Sequence, residues 1–115
     1  MTPGRYNIKV YQGSTFSLAP QWKIDGTYVN VTGYTAAMSV KNSPTSVSTI
    51  IELTSVNGRI TVGTTDGKFT LNLSAAETTA LVAGNYVYDL EVTSPGGTVT
   101  RLLEGGFIVY EGVTS

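Results

Sequence analysis

Apolar side chains return at every second position through most of this 115-residue sequence. That spacing fits extended strands that bury one face; a helix would place its apolar positions three or four apart. Residues 85–102, NYVYDLEVTSPGGTVTRL, are the clearest case. Tyr86, Tyr88, Leu90 and Val92 share one parity, and Asn85, Val87, Asp89 and Glu91 fill the other before Ser94-Pro-Gly-Gly97 turns the chain back. A hairpin alone is marginal in water, so the rest of the chain must supply the opposite wall of its core.

The rhythm recurs along the chain. Ile8 and Val10 open a first strand, and Phe16, Leu18, Trp22 and Ile24 share a parity, with Pro20 in register, up to a predicted hairpin turn at Asp25-Gly26. Tyr34, Ala36, Met38 and Val40 alternate until Asn42-Ser-Pro44-Thr interrupts them. Val47 to Leu53 predicts a short apolar strand, and Asn57-Gly58 is the strongest tight-turn signal. Ile60 and Val62 lead to Asp66-Gly67, then Phe69, Leu71 and Leu73 alternate, and Phe107 to Tyr110 supplies a last strand.

One segment departs from this pattern. Ser74-Ala-Ala-Glu77 is a capping box, which predicts one or two helical turns from Ala75 to Leu81, ended near Ala83-Gly84. Seven to nine short strands with one short helical turn near 75–81 predict an all-β fold. The expected form is a single Ig-like antiparallel β-sandwich domain spanning residues 1–115. The helical turn suits a crossover between sheets. Tyr86 and Tyr88 then bury their rings and can bond a hydroxyl to nearby backbone, as in a tyrosine corner. The return strand is less regular. If Val99 faces inward, strict alternation turns Arg101 inward and Leu102 outward, and a bulge near Leu102–Gly106 would correct this.

Composition narrows the function. Only 13% of residues are charged and the net charge is −1, so Thr, Ser and Gly must cover much of the surface. With no basic tract, no nucleic-acid partner is expected. No apolar run approaches the ~20 residues of a membrane-spanning helix, so no membrane partner is expected. The N-terminal stretch MTPGRYNIKVYQG lacks the apolar core of a secretory signal, so Sec export by this sequence is not expected.

The chain has no histidine and no cysteine. Disulfides, thiol nucleophiles, the commonest general base and the usual transition-metal ligands are therefore excluded, and no cofactor is expected. Asp89 and Glu91 lie two apart on one strand face, which raises glycoside cleavage; a solvated outer face explains them better. Asp25 and Asp66 each precede a glycine and read as turn residues, without the repeated acids of a calcium loop. Ser94-Pro-Gly-Gly97 joins strand to strand and does not form a phosphate loop. No catalytic residue is assigned, and the chain is expected not to be an enzyme. Trp22 shares its parity with core positions. Tyr28 and Tyr110 flank a turn and the C-terminus and are the candidate interaction surface. Lys9, Lys41 and Lys68 are candidate guards of exposed sheet edges.

Three blocks of sequence resemble one family. Gln12-Gly-Ser-Thr-Phe16 ahead of Trp22-Lys-Ile-Asp-Gly26 is similar to its opening strands. Val31-Thr-Gly-Tyr-Thr35 is similar to its next block. Leu73-Ser-Ala-Ala-Glu77, Ala83-Gly-Asn-Tyr-Val-Tyr-Asp-Leu90 and Thr100-Arg-Leu-Leu-Glu-Gly105 are similar to its closing helical turn, strand and return. The family is the small Ig-like β-sandwich module of tailed bacteriophages, found as the N-terminal domain of the baseplate upper protein.

The resemblance covers nearly the whole chain. It implies a virion structural protein, made in the host bacterial cytoplasm, with no catalytic residues to carry over. Expected partners are other phage structural proteins of the tail, baseplate, fibre or capsid, in multiple symmetric copies. The sequence stops at Ser115 without that protein's long extension, so an adaptor of the tail, baseplate or tail fibre is expected first. Capsid decoration is the alternative, and a glycan-binding module aiding host adsorption is a further one.

Overall fold

The computed structural model describes residues 4–43, 45–46 and 49–112. Alternation becomes strand wherever Gly-containing turns bound it. The strands are β1 (Gly4–Arg5), β2 (Ile8–Tyr11), β3 (Phe16–Leu18), β4 (Lys23–Ile24), β5 (Thr27–Tyr28) and β6 (Thr35–Lys41). They continue with β7 (Ile51–Thr54), β8 (Ile60–Val62), β9 (Phe69–Leu73), β10 (Gly84–Thr93) and β11 (Val99–Tyr110), and helix α1 (Ala75–Thr79) lies between β9 and β10. The described strands number eleven because β1, β4 and β5 are two-residue pieces.

Two sheets face each other. The larger runs β1-β11-β10-β6-β7, with β2 continuing β1 along the same edge of β11, and the smaller is β3-β9-β8. Met38, Leu90 and Phe107 from the large sheet meet Phe69, Leu71 and Leu73 from the small one, all almost fully buried. The fold is the expected all-β, Ig-like sandwich. Its one departure from antiparallel order is the N-terminal edge, where β1 and β2 run parallel to β11. The Asp25-Gly26 turn is built as the sequence indicates. Asp25 at φ 50° and Gly26 at φ 81° close the β4–β5 hairpin, the pair of left-handed residues that a type I′ turn requires.

Asn57-Gly58 makes the expected tight turn, and it joins β7 of the large sheet to β8 of the small sheet. Three expectations change. Ile24 is exposed, on a β4–β5 ribbon that forms its own two-stranded sheet. Trp22 does pack against the core, half-buried, with its ring edge-on to Tyr34. The strand expected from Val47 to Leu53 begins at Ile51, and Val47 and Ser48 lie outside the described residues, as does Pro44 of the preceding break. Finally, α1 ends at Thr79 with Ala80 as its cap, two residues short of Leu81.

The capping box forms as expected. Ser74 N–H donates to Glu77 Oε1 at 2.8 Å, and Glu77 N–H donates to Ser74 Oγ at 3.1 Å. Thr78, fully buried, then pins the helix to the β2–β3 turn: its hydroxyl accepts from Gly13 N–H at 3.1 Å and donates to the Ser14 carbonyl at 2.8 Å.

Candidate functional site

The outer face of the large sheet gathers much of the sparse charge. Cross-strand register places Arg5 beside Glu104, Glu104 beside Asp89, Asp89 beside Ser39, and Ser39 beside Glu52 in a single row. In the next row Glu91 lies beside Arg101. Arg101 reaches this face because β11 carries one extra residue: Leu90 pairs with Leu103 while Glu91 pairs with Arg101, leaving Leu102 as the bulge. The bulge therefore falls within the expected stretch. Val99 and Arg101 both turn outward.

Arg101 is the hub of the face. Its Nη2 lies 3.5 Å from Asp89 and 3.9 Å from Glu91, and its Nη1 lies 3.9 Å from Glu104, which also meets Arg5 at 3.7 Å. These side chains are all substantially exposed, so each pair contributes little to stability. Two guanidiniums offset two of the three carboxylates, so the paired groups keep one net negative charge. Asp89 and Glu91 point the same way and share one guanidinium, but only Asp89 borders an open groove of about 470 Å³ that also includes Lys41, Tyr88 and Gly105.

Beneath this face sit the two tyrosines of β10. The Tyr86 hydroxyl donates to the Val82 carbonyl four residues upstream at 2.7 Å, which is the tyrosine corner. The Tyr88 hydroxyl donates to the Tyr6 carbonyl at 2.7 Å and so ties β10 to the N-terminal edge. Burial pushes the Tyr88 phenol above its usual range, and it stays a neutral donor at any ordinary pH. Gly105 lies opposite Tyr88, where any Cβ would overlap the Tyr6 carbonyl oxygen.

Tyr28 and Tyr110, the candidate interaction residues, do not come together. Tyr28 lies on the separate β4–β5 ribbon with the Lys23 ammonium 4.6 Å from its ring centre. Tyr110 ends β11 on the large sheet and stacks on Tyr11 with centroids 5.1 Å apart and planes 19° from parallel. Tyr11, the more exposed of that pair, is a residue that sequence reasoning missed. Its outward parity was visible in β2, but its partner lies 99 positions away. Lys9 does stand on an edge strand, whereas Lys41 ends the interior strand β6 and Lys68 precedes the central strand of the small sheet, so neither guards an edge.

A second groove, of about 650 Å³, runs between residues 6–9 and 15–18, where the edges of the two sheets part. Among the described residues no three His, Cys, Asp or Glu side chains gather as a metal site would require, and no helix is long and apolar enough to cross a membrane.

No protein family matches the chain, and no curated protein does. Among solved structures the chain is similar to CopC from Methylosinus trichosporium OB3b at 18% identity and a TM-score of 0.49, covering 94% of this chain and 89% of that one. It is similar to the extracellular domain of the voltage-gated sodium channel β4 subunit at 16% identity and 0.48, covering 98% and 97%. Murine CRIg follows at 13% identity and 0.43, covering 91% of each chain. Likenesses this distant carry no argument about what the chain does.

Proposed function

We propose that this chain is a non-enzymatic docking module of a tailed-phage virion, an adaptor of the tail, baseplate or tail fibre. The observation that carries the reading is the ordered match of its three sequence blocks to the phage sandwich module. The outer face of the large sheet is consistent with it: its charges are largely offset by ion pairs, and it is bordered by an exposed aromatic stack at Tyr11 and Tyr110. Surfaces of this kind bind by complementarity over about 1,000 Å² or more in total, and the partners are other structural proteins of the particle in symmetric copies.

Mass spectrometry of purified virions, and of separated heads and tails, tests the reading. Detection in tails is expected. Detection in heads only would shift the role to capsid decoration, and absence from every fraction would remove the virion role.

A glycan-binding reading draws on the same exposed stack, since aromatic rings are platforms for sugar faces. Under it, Tyr110→Ala abolishes binding on a glycan array; under docking, that substitution leaves the array blank in both proteins.

A further inference from the structure

Strand β7 is the outer strand of the large sheet, and its free edge is already occupied. Ser55 N–H donates to the Ala36 carbonyl at 2.9 Å, which sets the register so that the backbone groups of Glu52 and Thr54 aim away from β6. A strand added at this edge would need the Glu52 carbonyl and the Thr54 N–H. Both are taken by side chains from the following turn. The Glu52 carbonyl accepts from Asn57 Nδ2 at 3.0 Å and from Arg59 Nη1 at 2.9 Å, and Thr54 N–H donates to Asn57 Oδ1 at 3.0 Å.

These two side chains are themselves held. Asn57 N–H donates to Thr54 Oγ1 at 2.9 Å, and Gly58 at φ 81° fixes the turn. Arg59 Nε donates to Glu77 Oε2 at 2.5 Å, and Glu77 is locked in the capping box of α1. The helix therefore braces the arginine that covers the strand.

We infer that Asn57 and Arg59 form an edge guard, side-chain stand-ins for a neighbouring strand that refuse strand addition at β7, including addition by a second copy of this chain. An exposed edge is a template for such pairing, and proteins suppress it by charge, bulges or cover. Here the cover is two hydrogen-bonding side chains, in place of the lysines that the composition suggested. This inference is independent of the virion role.

Amide exchange on the unsubstituted protein tests it first. Thr54 N–H is expected to exchange about tenfold more slowly than Glu52 N–H, which aims the same way without a side-chain acceptor among the described residues; tenfold is the factor that one such bond is worth. Equal rates overturn the guard.

The second test is association. Asn57→Ala with Arg59→Ala keeps the backbone bond from position 57 to Thr54 Oγ1 but removes every side-chain bond to the Glu52 carbonyl and the Thr54 N–H. That variant is expected to sediment as a concentration-dependent dimer where the unsubstituted chain does not. Adding Glu52→Pro, which removes an outward N–H and no bond to β6, should return it to the unsubstituted state. A folded variant that associates no more than its parent, or association that survives Glu52→Pro, overturns the inference.

Discussion

Tyr86 and Tyr88 show how one residue type does two jobs two positions apart. Each buries its ring and returns its hydroxyl to a backbone carbonyl, Val82 in one case and Tyr6 in the other. Removing a hydroxyl takes away one part-buried hydrogen bond, so Tyr86→Phe and Tyr88→Phe should each cost about 1 kcal/mol in denaturant unfolding. Glu77 is the other busy residue. The Ser74 N–H and then Arg59 hold its carboxyl below the usual range. A depressed carboxylate contributes stability that is present above the unfolded value near 4.5 and lost as pH falls through the folded value. Thermal unfolding midpoints should therefore drop on acidification below about 4.5, and Glu77→Gln should lower the midpoint at pH 7 while shrinking its fall toward pH 3. Asp66 is depressed by the Lys68 N–H and works in the same direction, so some acid sensitivity remains in that variant.

At the scale of elements, the return strand β11 is decided by what lies against it. Gly105 lets the Tyr6 backbone approach, and Gly105→Ala would drive a methyl group into the Tyr6 carbonyl with no flexible side chain to yield. The expected loss is about 1–3 kcal/mol in chemical denaturation, with the amides of the β1–β2 edge losing exchange protection first. The same strand marks the limit of reading the sequence. Alternation fixed the inward set of β10 because period two is local. It left Arg101 open, because the extra residue at Leu102 is placed by pairing with Leu90 and Glu91, and no local signal carries that register. Asn57-Gly58 announced a turn correctly, yet whether the flanking strands share a sheet is a tertiary matter. Ile24 had core parity on a ribbon that pairs with neither sheet and leaves it exposed.

At the scale of the whole molecule, layers and core followed from pattern, while the surface groupings did not. Arg5 with Glu104, Tyr11 with Tyr110 and Asn7 with Gly106 all join the two ends of the sequence, and nothing near either partner predicts the other. Such distant pairings also make folding slow to nucleate, since the first strand has no seat until the last is in place. The parallel seating of β2 on β11 has a mechanical corollary. Tension between the N-terminal side of β2 and the C-terminal side of β11 drags the two strands past each other lengthwise. Their cross-links then share the load all at once and do not peel apart singly, so the fold is braced against stretching from its two ends.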